Sequence, residues 1–374
     1  LPIVYSNYIE KVFINRRRLN LQRSSIMAHL SNQIEELRKL QVTGGSTYII
    51  SLPKKWVTQN QLKKGSVMTI RGEAGEPLLI IPSDATVKQE SDEAFIKVSS
   101  KENSSAIIRK TVSTYLVGYN LINIRPEKQQ QLSSKQRTEI KDFARHMLVG
   151  TEIVTDTPSE LTLQVLLSYP ELSVQSALRR MCIITSSMHR DAIRALKELD
   201  YQVAKGIITT DNEVDRFNLY IVRQLKMAIQ NQRIIREIGL ANARDCLGYR
   251  LVTKSVERTA DHAVSIAENV LTMKNRLSAE ILENVEKMST ISVSMFETAI
   301  EALFKQDFNL AESVIEKTED VVSLEKHIVS SFQKTESEGS TNLRLIIESI
   351  RRTAEYASDI AEIVLNLTIT SIIE

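Results

Sequence analysis

The chain has 374 residues, enough for two to four domains with cores of their own, and its 11 glycines and 7 prolines favour long helices over many turns. Its two cysteines, Cys182 and Cys246, exclude a disulfide framework and a CxxC metal knuckle, and no run of about 18 uninterrupted apolar residues marks a membrane span. Net charge is +2, but residues 1–82 hold 12 Lys/Arg against 5 Asp/Glu, or +7, and the remainder 36 against 41, or −5, so a basic head precedes a mildly acidic body.

Residues 1–35 open without methionine, carry Arg16–Arg17–Arg18, and lack the apolar core of a signal peptide. Met27 is a candidate start, and the segment is expected to be a partly disordered extension. From Arg38 the sequence turns strand-like. Gly44–Gly45 supplies a positive-φ turn between RKLQV and STYIISLP, and Pro53 sits where a short helix over KKWVTQNQL could begin. Gly65 closes that helix, and VMTIRGE and PLLIIP read as a second hairpin joined through Ala74–Gly75–Glu76. Two hairpins and one short helix bury too little apolar surface to stand alone, and interleaving with a second chain is the natural remedy.

Residues 84–170 read as β-α-β-α-β-β: a strand over 93–99, a helix over 104–119, a strand over 121–124 ending at Pro126, a helix over 135–148 stopped by Gly150, and strands over 152–156 and 161–167. That order predicts a small α+β domain. Arg109, Tyr115, Tyr119, Arg137 and His146 stand out there as polar or amphipathic side chains of structural rather than functional type.

From Ser173 onward helical periodicity dominates and the chain repeats itself. Residues 187–200 align with 294–307, sharing seven of fourteen at an offset of 107, and residues 256–271 with 350–365, sharing nine of sixteen at an offset of 94. Each copy reads as three helices, about 173–204, 210–238 and 242–275, then about 278–307, 310–335 and 340–372. Such long spans predict antiparallel bundles. The apolar tail over 360–373 reads as a buried helix end.

Two i, i+4 acid pairs fall at matching places in the first copy: Asp211/Asp215 in the middle helix and Glu257/Asp261 in the last. This spacing puts both carboxylates of a pair on one helix face, and two such pairs on facing helices offer oxygen ligands to a hard or borderline cation. With 46 Asp and Glu in the chain, one pair arises readily by chance; two at matching places carry more weight. At the repeat offsets the second copy has Thr318, Val322, Arg351 and Glu355, so the aligned site is expected to be lost. Glu316/Asp320 and Glu355/Asp359 form a shifted set that could serve instead. His262 adjoins Asp261, but adjacent helical positions diverge by about 100°, so it is expected to face elsewhere.

The run R-K-L, G-G-S-T-Y-I-I-S-L-P-K-K-W, L-K-K-G, V-M-T-I and L-L-I-I, over residues 36–83, resembles the SpoVT–AbrB-like swapped-hairpin DNA-binding domain, in which two chains intertwine. The stretches GIITTDNEVDRFNLYI, VERTADHAVSIAENVL, VIEKTEDVVSLEKHI and RRTAEYASDIAE resemble helix signatures of the PhoU family, tandem three-helix-bundle regulators of phosphate uptake. Together the architecture resembles the archaeal phosphate-uptake regulators. The resemblance implies a mainly α fold: an AbrB-like β domain (36–83), an α+β linker (84–170), and PhoU-like bundles over 171–276 and 277–374. It implies a homodimer through the N-terminal domain, with Arg38, Lys39, Lys54, Lys55, Lys63 and Lys64 facing DNA phosphates. It further implies a transition metal, iron or zinc, on Asp211, Asp215, Glu257 and Asp261.

Catalysis is not expected, since ExxH, GxSxG and phosphate-loop patterns are missing. The resemblance therefore implies a cytoplasmic, dimeric transcriptional regulator of phosphate uptake. The alternative is a non-DNA-binding adaptor that contacts a phosphate transporter ATPase or a signalling protein.

Overall fold

The computed structural model describes residues 36–72, 78–82, 92–127, 130–167, 172–230, 232–332 and 340–373. The N-terminal extension, the turn at Ala74–Gly75–Glu76 and the turn near Glu336 lie outside them. The chain divides into two compact units, Leu1–Glu90 and Ser91–Glu374.

In the first unit, β1 (Gln41–Thr43) and β2 (Thr47–Ile49) pair antiparallel, Val42 opposite Tyr48. Gly44 and Gly45, at φ +61° and +83°, make the turn that side chains rarely adopt. Pro53 caps the short helix α1 (Lys54–Gln59) rather than starting it, and β3 (Met68–Arg71) pairs antiparallel with β4 (Leu79–Pro82). Among the described residues of this unit only Pro82 is buried. Leu40, Val42, Tyr48, Ile70 and Leu79 are each more than half exposed.

The second unit begins with the predicted α+β order. It comprises β5 (Glu93–Val98), α2 (Ser104–Val117), β6 (Leu121–Pro126), α3 (Ser134–Met147), β7 (Thr151–Thr157) and β8 (Glu160–Val165). The sheet runs β5-β6-β8-β7, with β5 and β6 parallel across the α2 crossover and the rest antiparallel. Ile96, Val98, Ile122, Ile124, Leu161 and Leu163 point to one face and are buried with Ile107 and Ile140 of the two helices. Asn103 caps α2, and Ser133 with Gln136 forms a capping box on α3. Of the five polar side chains singled out in this segment, Tyr115 is buried and Arg137 is ion-paired with Asp156.

The helical body follows as α4 (Val174–Glu198), α5 (Tyr201–Gln230), α6 (Gln232–Glu237) and α7 (Asp245–Thr272), then α8 (Ala279–Lys305), α9 (Phe308–Glu316), α10 (Thr318–Phe332) and α11 (Ser340–Thr368). The first helix of each copy ends earlier than periodicity alone predicts. Leu199 and Gln306, one repeat offset apart, both take the left-handed conformation (φ +57° and +54°) and stop α4 and α8. The aspartate after each starts the next helix: Asp200 Oδ1 accepts from the Val203 amide at 3.1 Å, and Asp307 Oδ1 from the Leu310 amide at 3.0 Å. The middle helix of the second copy is broken at Lys317. Both cysteines are buried and free. The chain's tail departs from expectation: Ile360 and Val364 are buried, but α11 stops at Thr368 and Ile372 and Ile373 are exposed.

The two copies pack as the halves of a symmetric dimer would, with equivalent residues meeting each other. Arg190 Nη2 donates to Glu297 Oε1 at 2.6 Å, and these positions are 107 residues apart, the repeat offset itself. The His262 and Tyr356 rings, equivalent at the offset of 94, lie 5.7 Å apart. The Lys197–Glu286 ion pair (2.8 Å) has as its counterpart the Arg179 guanidinium over the Phe304 ring at 3.8 Å. Between the copies lies fully buried His189, within 3.2 Å of Ser289 Oγ and 3.4 Å of Thr353 Oγ1. Burial, with the charges of His262 and Arg190, lowers its pKa to about 4 and keeps it neutral.

Arg223 of α5 ties the body to the α+β layer. Its fully buried guanidinium donates to the carbonyls of Tyr115, Gly118 (3.0 Å) and Tyr119 (3.1 Å) and to Asn120 Oδ1 (2.7 Å). A cation thus caps the C-terminus of α2, where orphan carbonyls and the helix dipole favour positive charge. Gly118 (φ +117°) allows the approach, since a side chain there would crowd Met227.

Candidate functional site

The four carboxylates of the first copy converge electrostatically. Asp211 and Asp215 sit one turn apart on α5, half-buried, on the side of the helix that meets α7. Glu257 lies half-buried on α7, and Asp261 one turn further on at the open rim. Burial, with the charges of Asp215, Asp261 and Glu257, raises the Asp211 pKa to about 7. Burial and Glu257 do the same to Asp261, to about 6, and push Asp215 upward. Asp211 Oδ1 is buried without a hydrogen-bond partner.

An acid patch that holds its own protons this strongly lacks positive charge. Lys254, one turn before Glu257 and ion-paired with it, is the nearest compensation. Among the described residues no three His, Cys, Asp or Glu side chains are drawn together tightly enough to hold a metal ion as they stand. The donor set, with one oxygen orphaned, suits a hard or borderline cation, but the side chains are splayed.

The second copy solves the same problem from within. Arg351, at the position of Glu257, ion-pairs with Glu355 and places Nε 3.2 Å from Glu325 Oε1 on α10. Glu355 also accepts from Arg352 Nη1 at 2.9 Å, so this member of the shifted set is engaged by two arginines, while Glu316 and Asp320 lie exposed. His262 turns from the carboxylates to stack against Tyr356 of α11.

In the head, Arg38, Lys39, Lys54, Lys55, Lys63 and Lys64 are all exposed, and Arg38 is paired with Glu36. Sequence reasoning singled out neither Lys254 nor Arg223. Lys254 is discernible as a lysine one turn from Glu257; Arg223 looks like any solvated arginine on a polar helix.

The fold thus defines a class: two homologous helical bundles on a pseudo-twofold, joined to an α+β layer and preceded by a β-hairpin unit. The family model for the PhoU domain matches residues 178–270 and again 285–364. The two matches fall on the two copies of the helical body, which therefore consists of PhoU domains. Residues 41–88 match the model described as antidote-toxin recognition MazE, bacterial antitoxin. Among curated relatives, a "Phosphate-specific transport system accessory protein PhoU homolog" of Clostridium acetobutylicum is 25% identical over 175 residues, covering 47% of this chain and 78% of that protein. A "Phosphate-specific transport system accessory protein PhoU homolog 1" of Thermotoga maritima is 21% identical over 196 residues, covering 50% and 83%. The crystal structure of the phosphate transport system regulatory protein PhoU from Streptococcus pneumoniae aligns with a TM-score of 0.47 at 22% identity, over 54% of this chain and 96% of that one. No helix among the described residues is long and apolar enough to cross a membrane.

Proposed function

We propose that this chain regulates phosphate transport as a non-enzymatic, DNA-binding homodimer in the cytoplasm, with a cation-responsive helical body. The observation that carries the reading is the tandem of PhoU domains, whose relatives are named as accessory proteins of phosphate-specific transport. The body is the part that meets the transport machinery or its signalling partner.

Dimerisation is supported by the head itself. Its hairpins leave Val42 and Tyr48 paired in the open, with Ile70 and Leu79 also exposed on β3 and β4, too much apolar surface for an isolated unit. A second copy would cover it. The match to an antitoxin domain and the exposed Lys54, Lys55, Lys63 and Lys64 support DNA as the head's ligand. In the body, Asp211, Asp215, Glu257 and Asp261 would hold iron or zinc once their side chains swing inward. The bound cation would neutralise the patch, and Asp211 would contribute its orphaned oxygen.

A mobility shift on DNA upstream of phosphate-transport genes tests the regulator reading. Binding should fall steeply with salt and weaken at least tenfold on Lys54→Glu with Lys55→Glu. No shift at low salt would leave the adaptor reading in its place. Elemental analysis tests the cation: metal bound by the wild type should be lost from Glu257→Ala with Asp261→Ala.

A further inference from the structure

We propose that the edge of β5, which no other strand pairs among the described residues, takes up an acidic extended segment of a partner protein as a fifth strand of the sheet. The two edges of this sheet are built differently. On β7 the register slips between Ile153 and Thr155, a bulge that blunts an edge against further pairing, and Asp156 beyond it is tied to Arg137 and Lys141 at 2.6 Å each. On β5 the register with β6 is unbroken over all six residues, Glu93 to Val98.

The main-chain groups of β5 alternate between its two sides. The carbonyls of Asp92 and Val98 accept from Leu121 and Glu127, so the even-numbered residues bond towards β6. The amides and carbonyls of Phe95 and Lys97 therefore face outward, a short ladder for one more strand.

That ladder borders a groove of about 670 Å³ between the strand and α2, lined by Phe95, Lys97, Arg109, Lys110 and Ser113 among others. A groove between an edge strand and a helix fits a single extended peptide, whose alternate side chains reach the helix. The charge of the groove selects the peptide. Lys97 and Arg109 are exposed cations, and Lys110, exposed as well, is paired with Glu102 at 2.6 Å. An acidic segment meets them; a basic one is repelled. Single-stranded nucleic acid fits less well, because the one aromatic ring at the site, Phe95, already has the Arg125 guanidinium 4.5 Å over its face and offers no free platform for a base.

Fluorescence anisotropy of the full chain tests this with three labelled probes: a ten-residue peptide alternating Glu and Val, its counterpart with Lys for Glu, and a ten-nucleotide DNA strand. The acidic peptide should bind. Arg109→Glu should weaken it at least tenfold. Lys97→Pro removes an outward amide without touching the β5–β6 ladder and should abolish binding, whereas Lys97→Thr, which loses the charge alone, should cost only a few-fold. Circular dichroism confirms that each variant folds. Equal binding of the two peptides, preference for the DNA strand over the acidic peptide, or unchanged affinity in both Lys97→Pro and Arg109→Glu would overturn the proposal. So would no binding of the acidic peptide at millimolar concentration, or an edge already filled by a second copy, seen as a smaller assembly for Lys97→Pro in sedimentation. None of these readouts involves phosphate or the head, so this proposal and the phosphate-transport reading fail separately.

Discussion

Replacing Asp211 with asparagine should stabilise the metal-free protein, and the gain should grow with pH. Burial and three neighbouring carboxylates raise the Asp211 pKa from 3.8 to about 7. The folded state therefore holds a proton that the unfolded chain releases near pH 4. Below pH 4 the group is protonated in both states and contributes nothing. As pH rises from about 4 to 7, ionisation favours the unfolded chain, and above pH 7 the penalty is constant. For a fully buried group the shift would amount to roughly 4 kcal/mol. Asp211 is only half-buried, and solvent screening reduces this to about 1–2 kcal/mol. Asparagine keeps the shape and removes the charge. The Asn variant should thus melt about 2–5 °C above wild type at pH 8, with the difference vanishing towards pH 4. Thermal unfolding in EDTA between pH 4 and 8 measures this. Added iron(II) or zinc should then reverse the order, since a cation held by four carboxylates stabilises the wild type and less so the variant. Superimposable wild-type and variant melting curves across the pH range would refute the reasoning, because they would mean the carboxylates do not sense one another.

Three further expectations follow from the packing. Arg223→Met should cost about 3 kcal/mol in urea unfolding, because it strips a charged donor from buried carbonyls at the end of α2; Arg223→Lys should recover only part, lacking the planar fork. Gln306→Gly should change stability by under about 0.5 kcal/mol, because relief of the left-handed backbone is offset by loss of the Gln306 Nε2 hydrogen bond to the Leu303 carbonyl at 2.7 Å, whereas Gln306→Ala, which loses the bond without the relief, should cost about 1 kcal/mol in thermal unfolding. Arg190→Glu should cost under about 1 kcal/mol, an exposed pair, and be restored by adding Glu297→Arg, which a double-mutant cycle in thermal unfolding would show.

What could be read from the sequence follows from where each signal resides. The repeat was visible because duplicated cores keep their small and aliphatic residues, such as Ala192/Ala299 and Ala263/Ala357, all buried here. The α+β order was visible because Pro126 and Gly150 mark element ends. The break at Leu199 was not, since a leucine in left-handed conformation carries no local signal and is held there by the Asp200 cap and tertiary packing. Asp211, Asp215, Glu257 and Asp261 could be paired from spacing within helices. That α5 and α7 bring the pairs together is a property of the bundle. The links made by His189, Arg223 and Arg190 join positions 100 or more residues apart, and no periodicity announces them.

The difference between the two copies bears on how the body could respond to a cation. In the second copy the counter-charge is covalent: Arg351 bridges Glu325 and Glu355 and cannot leave. In the first copy the corresponding position is Glu257, and beyond Lys254 the patch must be neutralised by protons or by a cation from solution. At the aligned position it is therefore the first copy that is open to the medium. Its α5 is also the helix that carries Arg223, twelve residues or about 18 Å beyond Asp211 along one uninterrupted helix. The sheet bearing the β5 edge is packed on α2, so one helix, α5, carries both the carboxylates that face α7 and the arginine that caps the end of α2.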